Sequence, residues 1–247
     1  MNNKEQHIFR KAVYLTLGFT LLLWMVKGIE WSTGNDLGHL GILPRTLEGA
    51  IGIFTGPLVH GDFYHLLSNT FPIIFLGVAL FYFYEKIAVE VLLWIYISTG
   101  LWVWTVGRDA YHIGASGVIY GVAAFILCSG ILRKNTQLMA LSLVVIVLYG
   151  GMVYGLFPNR DMPEMSWESH LLGAFCGVVM AIFFRRKEIS TVNIRSNPME
   201  YRKGASESID QNDEWEGVQN HTYRQDTRFT YTFIEKSRES SGDDQQA

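Results

Sequence analysis

Three short stretches set residues capable of nucleophilic chemistry into otherwise apolar surroundings. "HGDFYHLLSN", His60 to Asn69, carries two imidazoles and a carboxamide; "HIGASGVIYG", His112 to Gly121, holds a serine among glycines; "SHLLGAFCG", Ser169 to Gly177, places a histidine ahead of two glycines. His65 and Asn69 are four apart, so on a helix they stack on one face and can point at a single spot. Ser116 precedes Gly117 and Gly121, and His170 precedes Gly173 and Gly177. Each glycine pair has the small-xxx-small spacing that lets another backbone approach closely. Two such helices in contact could bring the Ser116 hydroxyl to the His170 imidazole. Nucleophilic catalysis needs that pairing, because a serine hydroxyl is a weak nucleophile until a neighbouring base takes its proton.

The elements that must position these residues are membrane spans. Of 247 residues, 49% are hydrophobic and 14% aromatic, and the mean hydropathy is +0.16, too apolar for an ordinary water-soluble domain. The excess sits in six stretches of about 17 to 20 residues, each long enough to cross a hydrocarbon core roughly 30 Å thick. They run approximately from Ala12 to Ile29, His65 to Tyr84, Ala88 to Val106, Ile113 to Leu132, Leu138 to Phe157 and Glu168 to Phe184. "KGIEWSTG" after the first offers no signal-peptidase site, so that stretch is read as a span. Lys4, Arg10, Lys11, Lys86, Arg133, Lys134, Arg185, Arg186 and Lys187 fall on one side of this arrangement, against Lys27, Arg45, Arg108 and Arg160 on the other. The positive-inside rule then puts both termini in the cytoplasm. The expected fold class is all-α, a polytopic six-helix bundle over residues 1–187.

From Glu188 the composition changes to Ser, Asn, Gln and Asp, with twelve acidic residues against seven basic ones. Residues 188–247 are expected to form an acidic, solvated and disordered cytoplasmic tail. "RFTYTFIEK" within it alternates like a short strand, but a lone strand is marginal. Cys128 and Cys176 both lie in spans and read as small apolar fillers, not a disulfide or a metal site.

A polar group inside a span is expensive, with a central charge costing about +2.5 to +3.5 kcal/mol on insertion scales. His60, His65, Asn69, His112, Ser116 and His170 are far apart in sequence, yet the six-span arrangement puts them all at the outer ends of spans two, four and six. Each has a bland reading: a packing serine, an interfacial histidine, a hydrogen bond across the bundle worth ~0.6 to 2 kcal/mol. Packing alone does not predict their shared depth. Other intramembrane chemistries fit poorly. Neither His65 nor His170 begins the H-E-x-x-H of a zinc protease, and no carboxylate or thiolate is spaced to complete a metal site with the histidines. Asp62, Asp109 and Asp161 lie in or beside outer loops, not in spans as an aspartyl protease requires. "GASGV" is not the G-x-S-x-G elbow of soluble hydrolases.

These motifs resemble those of the rhomboid intramembrane serine proteases. The resemblance covers about residues 10 to 185 and rests on three patterns: His60, His65 and Asn69 entering span two; Gly114, Ser116, Gly117 and Tyr120 opening span four; and His170, Gly173 and Gly177 opening span six. It implies that Ser116 is the nucleophile and His170 the general base, a dyad without a carboxylate. It further implies an oxyanion hole formed by His65, Asn69 and the backbone N–H of Ser116, with Tyr120 packed on the His170 ring. An amide and an imidazole on one helical face are suitable donors for a developing oxyanion. No cofactor or metal is expected. The expected partners are single-span membrane protein substrates and the lipid bilayer of the cell membrane, with no nucleic acid. Water would enter from the outer face under loops around Trp31 to Pro57 and Pro158 to Trp167. The sequence departs from the family pattern near Ile51 and Gly52, where many members carry Trp-Arg, so a different anchorage of the first outer loop is expected. The rival reading is a catalytically inactive rhomboid-like protein that binds membrane clients, although such relatives typically lose the serine or the histidine. A small-solute transporter would instead show inverted repeats with ionisable residues near the midplane.

Overall fold

Ser116, His65 and His170 each sit in the first turn of a different long helix. A computed structural model describes residues 3–158 and 165–189 and contains, among these, six helices of 14 residues or more and no β-strand. They are α1 (Asn3–Thr33), α2 (Phe63–Phe83), α3 (Ala88–Val106), α4 (Ser116–Arg133), α5 (Thr136–Tyr149) and α6 (Trp167–Phe183). Residues 3–33, 63–83, 88–106, 116–133 and 136–156 are each long and apolar enough to cross a bilayer; α6, at 17 residues, is shorter. The acidic tail from residue 190 onward, including "RFTYTFIEK", lies outside the described residues, as does 159–164 in the last outer loop.

Local chemistry sets the helix ends. α1 continues past Trp31, which the sequence places in a loop, and stops where Gly34 takes φ +67° and returns its N–H to the Glu30 carbonyl. Asp62 caps α2, its carboxylate accepting from the His65 N–H at 2.7 Å. α4 begins at Ser116 and not at Ile113, because Gly114 adopts φ +101° and spends its N–H on the Gly56 carbonyl. α5 stops at Tyr149, short of the expected Phe157, and the paired glycines 150 and 151 open a 3₁₀ segment, Gly150–Leu156.

α4 and α6 form the tightest contact. A Cβ on Gly173 would overlap the Gly117 carbonyl, and one on Gly177 would overlap the Gly121 carbonyl and stand 3.0 Å from the Phe125 nitrogen. The backbones therefore touch, which in lipid provides packing energy where no hydrophobic driving force exists. Around this seam Ile95, Ile119, Val122, Phe125 and Ile126 are buried. Val147, Phe183, Leu93 and Trp94 are exposed on the outside of the bundle, as suits a lipid and not an aqueous surround. Arg133, at the end of α4, donates to the Lys187 carbonyl at 2.9 Å and to that of Phe184, capping α6. Glu188 and Ile189 still pack beside α2, through an ion pair to Lys86 and a 2.9 Å bond from the Lys86 N–H.

The outer loop between α1 and α2 is a chain of short helical turns, anchored mainly by α3 and the strand-like stretch after it. Ile42 and His112 exchange two backbone hydrogen bonds of 2.9 Å. The Arg45 guanidinium donates to the Gly107 carbonyl at 2.7 Å and pairs with Asp109. Trp104 Nε1 donates to the Thr46 carbonyl at 2.8 Å, and the Tyr96 hydroxyl to that of Phe54 at 2.6 Å. These contacts hold the loop where the Trp-Arg pair of the family pattern is missing.

Candidate active site

The glycine seam does for the two polar side chains what their spacing suggests. With α4 and α6 in backbone contact, Ser116 Oγ stands 2.8 Å from His170 Nε2. The other ring nitrogen, Nδ1, lies 2.9 Å from the Gly155 carbonyl oxygen. A carbonyl only accepts, so Nδ1 carries the proton in the neutral ring and Nε2 offers its lone pair to the serine O–H. The ring is also held by stacking: Tyr120, one turn into α4, lies parallel to it at 4.2 Å between centroids and 6° between planes. The Tyr120 hydroxyl donates to the Met152 carbonyl at 2.7 Å. The 3₁₀ segment thus supplies two carbonyls that fix the His170–Tyr120 stack. Gly155 must lack a side chain there, since a Cβ would overlap the Tyr120 hydroxyl and sit 3.1 Å from Nδ1.

α2 approaches from the other side. The His65 ring packs against Gly114, where a Cβ would stand 2.7 Å from Cε1, so the positive φ and the close approach both demand glycine. Asn69 lies one turn further on, buried, with one amide N–H donated to the His65 carbonyl at 2.7 Å. Its second N–H is available to another acceptor. His60, in the turn before α2, is buried with its ring 5.1 Å from that of His65, and its Nε2 accepts from the Ala115 N–H at 3.4 Å. Burial, reinforced by the neighbouring His65, lowers the His60 pKa from 6.5 to about 4, so the ring is neutral and can accept. α4 has no side-chain cap, which leaves N–H groups of its first turn, at Ser116 and beyond, to face an incoming acceptor.

His112 takes a different place from the one its position beside the glycines suggests. Its Nε2 donates to the Arg108 carbonyl at 3.1 Å, so Nδ1 accepts from Ser166 Oγ at 2.6 Å, and Ser169 donates in turn to Ser166 at 2.6 Å. This relay ties the α3–α4 connection to the start of α6. Burial lowers the His112 pKa, which keeps the ring neutral in that role. Sequence reasoning missed Gly155 and Met152 altogether, because they act through backbone carbonyls that any residue carries. The remaining predicted residues, Gly117, Gly173 and Gly177, form the helix contact itself.

Comparison with known proteins places most of the described chain in one family. The model of the Rhomboid domain matches residues 48–187. An uncharacterized protein of Mycobacterium bovis is 34% identical over 183 residues, covering 70% of this chain and 75% of its own length. An uncharacterized protein of Mycobacterium tuberculosis matches to the same extent. One from Mycobacterium leprae is 32% identical, covering 71% of this chain and 72% of its own.

Proposed function

The chain belongs to the rhomboid family, and from that premise we propose that it is an intramembrane serine endopeptidase with six spans and both termini in the cytoplasm. It cuts other membrane proteins in or near their transmembrane segments. The observation that carries this reading is the 2.8 Å contact between Ser116 Oγ and His170 Nε2, in a ring whose other nitrogen is engaged by Gly155.

Chemically, His170 Nε2 takes the proton as Ser116 Oγ attacks the scissile carbonyl carbon. The oxyanion that forms accepts from the Ser116 N–H, the second Asn69 amide N–H and the His65 ring, with the uncapped positive end of α4 behind them. His170 then gives the proton to the departing amine, leaving an acyl group on Ser116. A water deprotonated by the same ring attacks the acyl carbon and restores the serine. No carboxylate takes part; Tyr120 and Gly155 orient the base in its place.

The test is cleavage of a single-span substrate by the purified chain, together with labelling by a fluorophosphonate, which reacts only with activated serines. Wild type should cut and be labelled once, whereas Ser116→Ala and His170→Ala should do neither while remaining folded. Labelling that survives Ser116→Ala, or proceeds unchanged in His170→Ala, sinks the dyad. A folded wild type that neither cuts nor labels points to the client-binding alternative.

A further inference from the structure

We infer that Lys27, on α1, is a positioning residue for the oxyanion side of the Ser116 site, acting through the turn at His60 and Gly61. The inference rests on the functional reading above. α1 precedes the region matched by the family model, which starts at residue 48, yet it reaches the site by one side chain. Lys27 is 7% exposed, an unusual burial for an ammonium at the end of an apolar helix. Its Nζ donates to the His60 carbonyl at 2.9 Å and to the Gly61 carbonyl at 2.8 Å, and Glu30 Oε2 lies at 3.1 Å. Two of the ammonium's three donors are thus spent on the carbonyls of one turn, and Glu30 pairs with its charge.

The two carbonyls belong to a turn on which much of the site depends. Asp62, the next residue, caps α2 through the His65 N–H, so the turn decides where α2 starts and hence where His65 stands. The His60 ring from the same turn receives the Ala115 N–H, the peptide group immediately before that of Ser116. A shift of the turn therefore displaces His65 and the Ser116 amide together. Among the described residues, α1 and the outer loop have other anchors. Trp24 bonds Thr70 on α2 at 3.1 Å, Thr16 and Thr20 bond within α1, and the outer loop is held by Arg45, Tyr96 and Trp104. Glu30 offsets the charge, so the clamp adds little net charge beside a site that must stabilise an anion.

The experiment uses the full chain in detergent with a single-span substrate, and compares Lys27→Met with Lys27→Arg. Active sites are titrated with a fluorophosphonate so that turnover is expressed per labelled serine. Lys27→Met should lower kcat per labelled site by about 10- to 100-fold, the scale of an ångström-level misplacement, with KM within about twofold. Lys27→Arg, whose guanidinium can still reach both carbonyls, should recover most of the loss. Amide exchange in the peptide spanning 112–118 should quicken in the Met variant and not in the Arg variant. A loss of labelled sites with unchanged turnover per site would assign Lys27 to folding alone and overturn the inference, as would equal losses in both variants. If wild type neither cuts nor labels, the functional reading fails by itself; unchanged exchange in Lys27→Met then refutes the Lys27 contact separately.

Discussion

His170 Nδ1 lies 2.9 Å from the carbonyl oxygen of Gly155, fifteen residues earlier in the chain. That bond selects the tautomer whose Nε2 faces Ser116, and the approach is possible only because residue 155 has no side chain. Gly155→Ala should therefore drive the 3₁₀ segment away from the Tyr120 hydroxyl and release the ring. We expect kcat to fall about 10- to 100-fold with the folded fraction little changed, because no residue of this segment is buried. Size-exclusion profile and turnover, measured together, check this.

Tyr120 makes two separable contributions. Tyr120→Phe keeps the 4.2 Å stack and loses only the hydroxyl bond to Met152, a loss of about 0.5 to 1.5 kcal/mol. Tyr120→Ala removes the stack as well and should be much the worse in kcat. Equal activities for the two variants would show that the hydroxyl, not the ring face, orients His170.

Glycines on the α4–α6 seam should be intolerant where a glycine on α1 is not. Gly173→Ala puts a methyl into the Gly117 carbonyl and must part the helices just below His170, lengthening the dyad contact and lowering both melting temperature and turnover. Gly18→Ala meets nothing within 4 Å and should be neutral or raise stability by up to about 1 kcal/mol. Thermal unfolding followed by tryptophan fluorescence distinguishes the two.

His60 predicts a stability limb at acid pH. Its folded pKa of about 4 lies below the ordinary 6.5, so between these values the unfolded chain binds a proton that the folded chain refuses. Stability should be fully present above about pH 6.5, decline as pH falls towards 4, and flatten below. Melting temperature against pH should be less steep in that window for His60→Gln, which cannot titrate. Buried His112, whose pKa is also lowered, contributes to the slope that remains.

The basic residues predict a topology that labelling can test. A cysteine at Asn35, exposed after α1, should react with a membrane-impermeant thiol reagent in intact cells, and one at Gln137, exposed at the start of α5, should not. Reaction at position 137 in sealed cells would overturn the arrangement with both ends inside.

The sequence by itself determined where the apolar helical segments lie, five of them long enough to span, and which side chains could do chemistry. Length and hydropathy are local properties, and a nucleophile, an imidazole and an amide are recognisable by type. The glycine spacings at 117, 121, 173 and 177 were legible for the same reason: a missing side chain is written in the chain. Tertiary structure alone decided three things. It set the start of α4 at Ser116, because Gly114 answers to Gly56 and His65, neither of them near in sequence. It engaged His112 with Ser166, 54 residues away, and with the Arg108 carbonyl. And it brought the carbonyl of Gly155 to His170, that of Met152 to Tyr120, and those of His60 and Gly61 to Lys27. Every residue has a carbonyl, so its identity carries no sign of which one will be used; only the packing of distant helices selects it.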